Sequence, residues 1–67
     1  MDSKTLFESM FHTVRLIERS GRERKAKVIV FESEYDSGCG EARIWLDDDL
    51  EPGILRQSEI SLLQILD

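Results

Sequence analysis

One cysteine, one histidine and no asparagine in 67 residues remove several chemistries at once. A lone cysteine makes no internal disulfide, and Cys39 with His12 falls short of the ligand set of a structural zinc site. A thiol nucleophile needs a base and a group that orients it. His12 is the only imidazole present, so Cys39, flanked by Gly38 and Gly40, reads as an exposed loop thiol and not as a catalytic one. Phosphate-cradling motifs are missing too: Gly38-Cys39-Gly40 has no third glycine and no strand-to-helix setting, and Gly-Lys-Ser/Thr does not occur. Asp47, Asp49, Glu51 and Gly53 resemble the start of a calcium loop, but Pro52 and Ser58 stand where such a loop needs its glycine and its bidentate glutamate. The expectation is therefore no enzyme, no cofactor and no metal.

Long apolar runs are also lacking. Nothing approaches the ~18–20 residues of a membrane span, and Met1-Asp2-Ser3-Lys4 has no charged-then-apolar leader layout. A soluble, cytoplasmic protein without a membrane partner is expected. A single core at this length rarely supplies more than ~3–5 kcal/mol, which makes self-association a natural way to gain stability.

The apolar pattern points to one α+β domain over 1–67. Leu6, Phe7, Met10, Phe11, Val14 and Ile17 recur at helical spacing, with capping-box spacing from Thr5 to Glu8 and Gly21 as the stop. These signals predict an N-terminal helix over 3–20; Leu16 alone falls off its stripe. Ala26-Lys27-Val28-Ile29-Val30-Phe31 is rich in β-branched and aromatic residues and predicts a strand over 26–34. A turn-rich stretch follows, then a cleanly alternating strand over 41–47. The helix is expected to pack on this β-hairpin. The segment 57–66 is expected to be a C-terminal helix, with a third antiparallel strand as the alternative.

Charge divides the chain. Residues 1–33 carry seven Lys/Arg and five Asp/Glu, whereas residues 34–67 carry two and nine, within an overall charge of -5. Arg19, Arg22, Arg24, Lys25 and Lys27 form a possible basic patch, and Asp47, Asp48, Asp49 and Glu51 a possible acidic surface. The net negative charge disfavours nucleic acid as a partner. The acidic turn admits a different role, that of a decoy occupying a nucleic-acid-binding protein.

Simple alternation along a hairpin puts Ile29, Phe31, Tyr35 and Trp45 together on the strand face away from the helix. Trp and Tyr are enriched at interface hot spots, so these four are the expected partner-binding residues. The leading functional reading is a small non-enzymatic protein-interaction or regulatory module that forms a homo-oligomer, most simply a dimer.

Overall fold

The computed structural model describes all 67 residues and replaces the expected helix, hairpin and helix with a five-stranded antiparallel sheet. Its elements are α1 (Ser3–Glu8), β1 (Thr13–Glu18), β2 (Glu23–Glu32), β3 (Arg43–Leu46), β4 (Ile54–Arg56), a 3-10 turn (Gln57–Glu59) and β5 (Ile60–Ile65). The strand order is β4-β3-β2-β1-β5. There is no C-terminal helix and no long helix lying on a hairpin, so the α+β assignment is corrected to a sheet with one short helix.

The N-terminal helix stops early for a local reason. Asp2 caps its start by accepting from the Thr5 N–H, and the Ser9 hydroxyl donates to the Leu6 carbonyl at 2.6 Å at its end. Phe11 then takes a positive φ of 70°, which no helix continues through. Beyond it, Thr13, Val14 and Ile17 are β-branched and favour an extended chain. Extension turns Val14 and Leu16 to the same side, and both are fully buried. Leu16, the residue the helical stripe excludes, is thus a core residue of β1. Gly21 does adopt the left-handed conformation expected of it, at φ 94°, but within the turn joining β1 to β2.

The C-terminal segment follows from the same correction. Once residues 13–18 are a strand, β1 has a second edge to fill, and β5 pairs with it from Val14↔Ile65 to Glu18↔Ile60. Tertiary pairing outweighs the helix preference of its leucines. The strands expected over 26–34 and 41–47 are present as β2 and β3, while β4 was not expected.

Alternate residues of every strand meet in one core: Val14 and Leu16, Ala26 and Val28, Ile44 and Leu46, Leu55 and Ile60, together with Leu6 of α1 and Ala42. The sheet must curl to achieve this. Five strands laid flat would separate β4 from β5 by roughly 19 Å, yet only Gln57–Glu59 joins them, and three residues of 3-10 helix rise about 6 Å. The result is a small, partly closed barrel. β2 spans both halves, pairing with β1 up to Lys27 and with β3 from Val28 onward. No helix is long and apolar enough to cross a membrane.

Candidate interaction surfaces

The expected basic patch and acidic turn are in contact with one another. Arg24 alternates with Ala26 and Val28 and so points inward; its side chain is fully enclosed. Its guanidinium donates to both carboxylate oxygens of Asp48, at 2.6 and 3.2 Å, to the Pro52 carbonyl at 2.6 Å and to the Leu50 carbonyl at 3.2 Å. Glu18 stands 3.6 Å from the same guanidinium. A charge removed from water needs such a complete set of partners, and the β3–β4 loop is the structure that supplies them. Arg22 donates to the Glu51 carbonyl at 2.6 Å, and Arg19 holds the Ser58 carbonyl at 3.0 Å. Lys25 and Lys27 are exposed and make no side-chain hydrogen bond or ion pair.

Much of the acidic turn is likewise engaged. Asp47 accepts the Lys27 N–H at 2.8 Å and Asp48 is held by Arg24, which leaves Asp49 and Glu51 exposed. Charge of opposite sign in the two halves of the sequence therefore folds into internal pairing. The alternation of residues 24, 26 and 28 was the available signal that Arg24 lies inside.

A β-bulge divides the four expected aromatic-face residues. Val28 faces Leu46 and Val30 faces Trp45, so Ile29 is the extra residue between them. Past it, the faces of β2 exchange. Phe31 pairs with the buried Ile44, lies against the core and meets Phe7 edge to face at 5.5 Å between ring centres. Trp45 is on the opposite, outer face, in a row with Val30 and Ile54 across three strands. Ile29 is exposed at the bulge, and Tyr35, in the β2–β3 connection, is 88 % exposed and removed from the sheet pairing. One register shift separates residues that simple alternation puts together. Val30 and Ile54 were the missing neighbours of Trp45.

On that outer face Glu32 collects two donors. Arg43 Nε is 2.8 Å and the Trp45 indole N–H 2.7 Å from the same oxygen. These hydrogen bonds, Arg43 first and Trp45 second, hold the Glu32 carboxyl below its ordinary pKa. Cys39 is exposed. The neighbouring Ser37 hydroxyl donates to the Glu41 carbonyl at 2.6 Å, so toward Cys39 it presents lone pairs that accept the Cys39 N–H at 3.3 Å. His12 is bound elsewhere, to Asp67, with Nδ1 3.0 Å from its carboxylate.

The two free edges of the sheet differ. In an antiparallel ladder, alternate residues aim both backbone groups at the neighbouring strand. Leu46 N–H donates to the Gly53 carbonyl, so Ile54 and Arg56 of β4 face outward. The Arg56 N–H is nonetheless satisfied by Glu59 Oε1 at 2.9 Å. This bond, with the Arg56 side chain behind it, keeps Glu59 below the usual carboxylate range. At the other edge the Leu66 N–H donates to the Thr13 carbonyl at 2.9 Å, so Leu63 and Ile65 aim their N–H and C=O groups away from β1. β5 carries no proline, no charged side chain and no cap, and Leu62, Ile65 and Leu66 are 39–44 % exposed. The charge-free run over 60–66 was visible in the sequence, but only its place at an edge gives it meaning.

Comparison with protein-family models, with curated proteins and with solved structures finds no match to this chain.

Proposed function

We propose that this chain is a small non-enzymatic protein-interaction module that self-associates. The observation that carries the reading is the bare outer edge of β5: its outward N–H and C=O groups, at Leu63 and Ile65, have no neighbouring strand, and its six residues carry no charge, proline or cover, which sheet proteins ordinarily place at an edge. Such an edge is a template for adding a strand. A small core adds a motive, because association buries further apolar surface. The rival reading, an acidic decoy, has less behind it, since Asp48 is neutralised by Arg24 and Asp47 spends an oxygen on the Lys27 backbone.

Light scattering from ~10 to ~500 μM, a range that brackets micromolar to weaker association, tests the reading. The expected mass rises above the monomer's 7.8 kDa with concentration. A mass that stays at the monomer value throughout overturns self-association.

A further inference from the structure

Resting on that reading, we infer that the β5 edge is occupied by β5 of a second copy, antiparallel, about a two-fold axis at Leu63. The edge itself argues for the occupant. Residues 60–66 form the longest charge-free run in a chain of net charge -5. Two such molecules carry a net mutual repulsion, and residues 60–66, which pair only among themselves about Leu63, let backbone approach backbone with no like charges opposed within the run. A partner chosen by charge would find nothing here to read. A strand that is itself uncharged and leucine-rich matches it, and β5 is such a strand.

The register follows from the pleat. Continuing the sheet with core face beside core face requires paired residues of the same parity, so a two-fold axis passes through a residue and not between two. Leu63 has its N–H and C=O directed outward. Centred there, Leu63 exchanges both hydrogen bonds with its own copy, Ile65 meets Ser61 of the second copy, and Leu62 meets Gln64 of the second copy on the outer face. The assembly closes at two. Growth through the opposite edge is blocked because β4 is only three residues long and Glu59 already holds its Arg56 N–H.

Two double variants sharing one substitution read the register by sedimentation equilibrium. Gln64 lies opposite Arg15 within the chain, so Gln64→Glu is accommodated in the monomer. Leu62→Glu with Gln64→Glu places like charges opposite each other twice across the axis, and the dissociation constant is expected to rise tenfold or more. Leu62→Lys with Gln64→Glu places opposite charges there, and association is expected to persist near the wild-type level. Loss of association in both variants overturns the register, and retention in both overturns the β5 edge while leaving self-association standing. A wild-type chain that is monomeric at every concentration overturns the reading beneath as well. Amide hydrogen exchange on the unaltered chain gives a second measure that needs no variant to fold. The Leu63 and Ile65 amides are expected to become protected as concentration rises, and exchange at an unchanged rate overturns the inference.

Discussion

Arg24 and Asp48 meet as a two-pronged pair, Nη2 2.6 Å from Oδ1 and Nε 3.2 Å from Oδ2, with the guanidinium wholly enclosed beneath the β3–β4 loop. Removing one member of a buried pair leaves the other charged and unpartnered, at a cost of about 3–5 kcal/mol. That is comparable to what the core of so small a domain supplies, ~3–5 kcal/mol. Asp48→Ala is therefore expected to leave the chain largely unfolded at 25 °C, read by far-UV circular dichroism and urea titration. Arg24→Met leaves Asp48 and Glu18 without their cation, but those carboxylates are 15 % and 12 % exposed and reach water where the guanidinium does not, so its effect is expected to be milder. A cooperative transition of wild-type midpoint in Asp48→Ala would show that the pair does not hold the loop.

Acid should loosen the protein through its exposed carboxylates. Glu32, Glu59, Asp67 and Asp2 are all held below their ordinary pKa values: by Arg43 and Trp45, by the Arg56 backbone and side chain, by the Thr13 N–H and His12, and by the Thr5 N–H. A carboxylate whose folded pKa is depressed contributes stability that is complete above its unfolded value, near 4, and is lost as pH falls through the folded value. The urea midpoint is expected to be flat from neutral pH down to about 5 and to fall below about 4. Glu32→Gln should make that fall shallower. A midpoint independent of pH down to 2 would contradict the assignment.

Trp45 offers a contrast with the β5 edge. It is on the outer face of the other half of the sheet, beside Val30 and Ile54. Trp45→Ala loses the indole bond to the ionised Glu32. A hydrogen bond to a charged group contributes about 1.5–3 kcal/mol. A drop in stability with an unchanged association constant is the expected result. Dissociation on this substitution would move the interface to the Trp45 face.

Cys39→Ser is expected to change stability by less than ~0.5 kcal/mol, because the side chain is exposed and the turn is held by the Ser37 hydroxyl on the Glu41 carbonyl. Thermal melts of the two proteins should superimpose. A large shift would show that the weak contacts of the thiol with the Ser37 hydroxyl at 3.3 Å and the Glu41 carbonyl at 3.5 Å hold the turn.

The strands over 26–34 and 41–47 were legible because each is a local pattern complete in itself. Residues 13–18 were not, because Val14 and Ile17 satisfy helical spacing while Val14 and Leu16 satisfy alternation, and only Leu16 distinguishes the two. Its burial depends on strands brought in from elsewhere in the chain, β2 beside it at Arg24 and β5 at Leu63, which local periodicity does not weigh. The aromatic set failed for another reason. A one-residue bulge at Ile29 leaves composition and hydropathy untouched and still exchanges every side chain beyond it. The charge division was legible, but its meaning was reversed: Arg24 and Asp48 are 24 residues apart and neutralise each other inside the loop.

The pairing of β1 with β5 sets the order in which the molecule can be made. β2, β3 and β4 are successive antiparallel neighbours, so that half of the sheet can assemble from adjacent segments as they leave the ribosome. Val14 and Leu16 wait much longer, because the strand that completes their side of the barrel lies about fifty residues downstream. Contacts so distant along the chain close slowly. For the whole of synthesis up to residue 60, β1 carries an uncovered edge, and the nascent protein offers its neighbours on the polysome an acceptor for the very strand, β5, that has yet to emerge.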